Sequence, residues 1–222
     1  RNPQIGTKSA FLLGFPDYAT DAVPPLPGTR VELENIAKVL KAANYKVTQR
    51  MQKEATEQSI KSIKAPTIVH IATHGYFLQD VKGAHGSVYG VDAENASNNP
   101  LLRSGLILAD AKEAITDTKA VDITHSENGI LTAYEAMNLD LEGTDLVIMS
   151  ACETGLGDVK SGEGVYGLQR SFLVAGADAL IMSLWKVDDE ATQLLMSHFY
   201  SNWVKGGNKE KAFKQAQVQL MA

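Results

Sequence analysis

Two apolar runs of this 222-residue chain each stop at a residue able to do chemistry. Thr67–Thr73 is followed at once by His74-Gly75, and Asp145–Ala151 by Cys152-Glu153-Thr154-Gly155. Both runs have the composition of buried strands. In an open parallel sheet, ligands collect outside the carboxyl ends of the strands. If the two runs are neighbours, His74 and Cys152 face one crevice although 152 − 74 = 78 positions separate them. An imidazole beside a thiol can take its proton and hold the thiol pKa well below the free value of about 8.5. The thiolate then attacks a carbonyl, and the imidazolium protonates the leaving amine. Gly75 lets the backbone approach a substrate closely, so its N–H and that of Cys152 are candidate oxyanion donors. Gly155 and Gly157 let the chain turn sharply away from Cys152.

The residues alone leave a second reading open. Cys152 is the single cysteine, and a lone cysteine at the end of an apolar strand also serves as a small buried hydrophobe. One cysteine excludes an intrachain disulfide and a thiolate metal cluster, and it suits a reducing compartment. The chain carries 21 basic and 26 acidic residues, net −5, so whole-chain charge gives no support to non-specific binding of nucleic acid or of an acidic membrane. No apolar run approaches the roughly 18–20 residues that span a bilayer. The His70 and His74 pair, at i and i+4, lacks the Glu of HExxH and lies on a strand pattern, which speaks against zinc. The glycines at 155, 157, 162 and 164 spell neither dinucleotide fingerprint nor phosphate loop, and no GxSxG surrounds Ser150. No metal and no cofactor are therefore expected. His70 and the tryptophans Trp185 and Trp203 read as structural.

The elements that must position the pair alternate between strand and helix. Ser9–Phe15 reads as a buried strand, followed by a Pro/Gly loop from Pro16 to Gly28. Thr29, with Glu32 three positions on, reads as the capping box of a helix carrying Val31, Ile36, Val39 and Leu40. Tyr45–Arg50 is a second strand and Ala55–Lys64 a short helix. A long polar loop from Gln79 to Asn99, with a hairpin reaching Gly105–Ala109, and an irregular stretch Asp117–Asn128 follow the His74 strand. A short helix lies near Leu131–Met137. After Cys152 come a glycine-rich loop, a helix over Val165–Ala175, a strand Ala179–Leu184, and helices near Asp188–Trp203 and Asn208–Leu220. This alternation predicts one α/β domain over 1–222 with a mainly parallel sheet covered on both faces. The chain opens at Arg1 and reads as a piece of a longer protein.

His-Gly after one strand and Ser-Ala-Cys-Glu-Thr-Gly after another, followed by GEGVYGLQRSFLVAGADALIMSLWKVDDEAT, resemble the CHAT domain. This group of caspase-like cysteine peptidases stands with the caspases and separases and is often attached to tetratricopeptide repeats. The resemblance runs from about Ser9 to the C-terminus. Separases are similar in a further respect, a Trp-x-Val-x-Asp segment 33 positions after the cysteine; here 185 − 152 = 33 gives Trp185, Val187 and Asp189. It implies a caspase-like three-layer α/β sandwich and a cysteine endopeptidase with His74 as general acid/base and Cys152 as nucleophile. Gly75 and Cys152 would supply the oxyanion N–H groups. The acidic position tied to basic specificity in separases falls, at 193 − 152 = 41, on Gln193. Asp188, Asp189 and Glu153 are the substrate-binding candidates instead, although Asp188 and Asp189 could equally open a helix. The resemblance further implies a protein or peptide substrate, a helical-repeat regulatory module or activating partner, and a bacterial, cytoplasmic setting. The loop after Cys152 would rearrange or be cut on activation. A catalytically idle scaffold that works by binding is the alternative.

Overall fold

The computed structural model describes residues 8–78, 87–117, 127–150, 152–153, 163–183 and 189–221; at Val88, Cys152, Glu153, 163–166 and Asp189 it describes the backbone alone. The expected strands form the first sheet. β1 (Ser9–Pro16), β2 (Lys46–Gln52), β3 (Ile68–Ala72), β9 (Leu146–Met149) and β11 (Leu180–Met182) build a five-stranded sheet in the order β11-β9-β3-β1-β2. Every pairing in it is parallel.

Strand alternation sorts the apolar residues onto two faces. Phe11, Leu13, Val69, Ile71, Val147 and Met149 pack on one side. There they meet Ile60 of α2 (Glu57–Lys61), Ala133 and Ala136 of α5 (Ala133–Ala136), and Leu168 and Phe172 of α6 (Glu163–Val174). Leu12, Ile68, Leu146 and Ile148 face the other way. They pack on Leu33, Ile36 and Leu40 of α1 (Pro27–Ala42), Phe199 and Trp203 of α7 (Asp189–Gly206), and Ala212 and Ala216 of α8 (Lys209–Leu220). This is the three-layer caspase-like sandwich, and Trp203 is in its core. No described helix is long and apolar enough to cross a membrane.

A second sheet, absent from the sequence reading, continues the first. Its order is β10-β4-β7-β8, with β4 (His74–Phe77), β7 (Ser104–Ile107), β8 (Ile130–Thr132) and β10 (Cys152–Glu153). β4 follows β3 after the single residue Thr73, and β10 follows β9 after Ser150 and Ala151. The two central parallel strands thus both leave the first sheet and pair again in the second. The segment read as one long polar loop contains a tight hairpin, β5 (Ser87–Val88) with β6 (Val91–Asp92), and then α3 (Ala93–Asn98). Gly14 permits the crowding beside the bend: a Cβ there would lie 2.6 Å from the Ala72 carbonyl oxygen.

One local expectation is corrected. Thr29 does not cap α1. The helix starts three residues earlier, with Leu26 at the N-cap and Pro27 in the first turn, where a missing N–H costs nothing. Thr29 donates its hydroxyl to the Leu26 carbonyl (2.6 Å), and Glu32 turns inward to full burial. The same T-x-x-E spelling does form a capping box at Thr132 and Glu135, at the start of α5.

Candidate functional site

His74 is the first residue of β4 and Cys152 the first of β10, and the two are direct register partners in a parallel pair. Neighbouring strands lie about 4.8 Å apart, so register partners occupy equivalent positions of the pleat. The offset that joins them is already set in the first sheet: His70 pairs with Ile148 and Ile71 with Met149, and 148 − 70, 149 − 71 and 152 − 74 all equal 78. Both strands therefore pass the bend with the same number of residues, and the pairing is carried across it.

The imidazole of His74 is only 5% exposed. Its Nε2 lies 2.7 Å from the carbonyl oxygen of Pro24. A carbonyl can only accept, so Nε2 carries the proton and donates it there. In the neutral ring Nδ1 is then the basic nitrogen. Tyr18 lies against the ring, with centroids 5.6 Å apart and planes tilted by 36°. Its hydroxyl donates to Thr73 Oγ1 (3.0 Å), whose own proton goes to the Ile107 carbonyl, and it also accepts from the His74 backbone N–H. Burial pushes the Tyr18 phenol up to about 12, offset in part by these bonds, so it stays a donor across the ordinary pH range. The loop between β1 and α1 thereby fixes both the tautomer and the plane of His74.

Gly75 pairs with Glu153 on one side and Leu106 on the other. Asp189 opens α7, seven positions after β11 ends at Met182, and β11 borders β9. Asp188 lies outside the described residues, as does most of the glycine-rich loop after Glu153. Gln193, at the position acidic in separases, donates to Ser197 Oγ (3.1 Å) within α7. His70 is fully buried and bonded to Glu32 and Tyr200. Among the described residues no group of three or more His, Cys, Asp or Glu side chains could hold a metal ion. Sequence reasoning missed Pro24, Tyr18 and Thr73. The one available signal was the loop they border, long and proline-rich immediately before a helix.

The CHAT domain family model matches residues 1–222, and the chain belongs to that family. It is also similar to human tetratricopeptide repeat protein 28, 32% identical over 87 residues, and to its mouse counterpart, 34% identical over 77 residues. These stretches cover 39% and 35% of this chain but only 3% of each relative's length.

Proposed function

We propose that this CHAT domain is a cysteine endopeptidase in which Cys152 is the nucleophile and His74 the general acid/base. The observation that carries this reading is the direct pairing of the two residues across β10 and β4, with the His74 proton already committed to Pro24. In the neutral imidazole Nδ1 takes the thiol proton. The thiolate adds to a peptide carbonyl, and the tetrahedral adduct collapses to a thioester as the imidazolium gives its proton to the departing amine. Water, deprotonated by the same nitrogen, hydrolyses the thioester and restores the thiol. Backbone N–H groups of Gly75 and Cys152 are the proposed oxyanion donors. Gly75 is flanked by strands on both sides, so this use requires Glu153 to move off Gly75 as substrate enters, while Cys152 stays beside His74. Such a rearrangement suits an enzyme switched on by a partner. The curated relatives are named for tetratricopeptide repeats, which supports a fused or separate helical-repeat module in that role. A reducing, cytoplasmic setting fits the single cysteine. Asp188, Asp189 and Glu153 remain the proposed substrate-binding acids.

A peptide library tests the reading. We expect cleavage that falls by at least about a thousandfold in Cys152→Ala and in His74→Ala. Preference for Arg or Lys before the cut, lost on changing Asp188 or Asp189, supports the acidic pocket, and indifference to both changes removes it. Slow alkylation of Cys152 at pH 6–7, unaltered by His74→Ala, would overturn the peptidase in favour of the idle scaffold.

A further inference from the structure

A second polar cluster lies inside the apolar layer between the central sheet and α1. Glu32, His70 and Tyr200 are fully buried there and Ser150 nearly so, among Leu33, Ile68, Ile148 and Phe199. Glu32 Oε1 stands 2.9 Å from His70 Nε2, and Glu32 Oε2 accepts from Ser150 Oγ at 3.2 Å. His70 Nδ1 is 3.2 Å from the Tyr200 hydroxyl. Burial raises the Tyr200 phenol well above its ordinary value, so that hydroxyl keeps its proton and can donate to Nδ1. Nε2 then carries the ring proton and donates to Glu32. The bonds run in one direction, from Tyr200 through His70 to the carboxylate, with Ser150 meeting it from the other strand.

A buried carboxylate is a poor choice for stability alone, because well-packed hydrocarbon in its place is often as good or better. Its position suggests a different use. Ser150 is the first residue after β9 and stands two before Cys152; its N–H also donates to the Ile71 carbonyl at 2.8 Å. His70 stands four before His74. The carboxylate of Glu32 thus bridges the two strands close to the bend, at His70 within β3 and at Ser150 just after β9. Glu32 belongs to α1, and the loop leading into α1 supplies Pro24, the acceptor for His74. One helix and its lead-in therefore hold the imidazole directly and the nucleophile's strand through Ser150.

We propose that Glu32 is a positioning residue for the Cys152–His74 pair, acting through Ser150 and His70. This rests on the peptidase reading only in that it takes Cys152 to be activated by His74. Because the chain has one cysteine, alkylation by iodoacetamide reports on Cys152 alone. The full chain and its Ser150→Ala, Glu32→Gln and His74→Ala variants are alkylated from pH 5 to 9, with folding followed by circular dichroism. Ser150→Ala removes one hydroxyl, leaves Glu32 on His70, and should keep the fold. We expect its alkylation at pH 7 to slow about threefold to tenfold, with the midpoint of the profile moving up towards that of a free thiol, about 8.5. Glu32→Gln should do the same or more where it folds. Profiles of folded Ser150→Ala and Glu32→Gln that superimpose on wild type, while His74→Ala shifts its own, overturn the positioning role and leave the peptidase standing. A wild-type profile indifferent to His74→Ala overturns both.

Discussion

His74 holds its proton on Nε2 because of a carbonyl fifty positions earlier in the chain, and no side-chain chemistry at that position announces it. Every residue carries a carbonyl, so Pro24 could not be found by residue type. Tyr18 is invisible for a similar reason, since a tyrosine in a Pro/Gly loop gives no sign of the ring it will cover. His74 and Cys152 were legible because a strand pattern stops at each of them. The T-x-x-E spelling shows the opposite failure: at Thr132 it caps a helix, whereas at Thr29 the proline two residues before it begins the helix early and frees Glu32 for the interior. Tyr18→Phe keeps the ring against His74 but removes the hydroxyl that accepts from its backbone N–H. The melting temperature should change by only a few degrees, while alkylation of Cys152 at pH 7 slows about twofold to tenfold, as expected for one lost positioning hydrogen bond. An unchanged rate would show that ring packing alone fixes His74.

At the scale of elements, strand and helix alternation revealed the five-stranded sheet and its covering helices to within a few residues. The second sheet escaped because its strands are two to four residues long, too short for periodicity to register. Polar anchors hold it in place. Glu57 of α2 is buried, and its Oε2 accepts the N–H groups of Asn128 and Gly129 at 2.6 and 2.7 Å, just ahead of β8. Lys61 joins Glu57 to Glu135 of α5, at 2.9 Å from each. Burial raises the Glu57 carboxyl, and the Lys61 ammonium draws it part of the way back. Lys61→Met should therefore cost about 3 kcal/mol at pH 7 by leaving a buried carboxylate unpaired. In the variant the folded carboxyl sits further above its unfolded value of about 4.3. The folded state then binds more protons through that window, so stability recovers as pH falls. Urea denaturation at pH 7 and pH 5 checks this, and an equal deficit at both would mean that the ammonium contributes packing and not charge.

For the molecule as a whole, buried phenols set the alkaline limit. Tyr18, Tyr76 and Tyr200 all have their ionisation raised by burial, Tyr18 to about 12. The unfolded chain releases those protons near pH 10 and the folded one does not, so stability falls as pH climbs, by roughly 4 kcal/mol per pH unit for three groups. Followed by ultraviolet difference absorbance, Tyr18, Tyr76 and Tyr200 should ionise only as the circular dichroism collapses; ionisation of all seven tyrosines near pH 10 with the fold intact would contradict this. The shared offset of 78 has a consequence for how the chain can vary in length. The loops within the long excursion between β4 and β9 can gain or lose residues without disturbing the pair, because loop closure changes slowly with length. A single residue added at Thr73, or between Met149 and Cys152, slips one partner by a residue and turns it to the opposite face of the sheet. Length variation is thus tolerated in the loops between β4 and β9 and forbidden at two short bends, unless both change together.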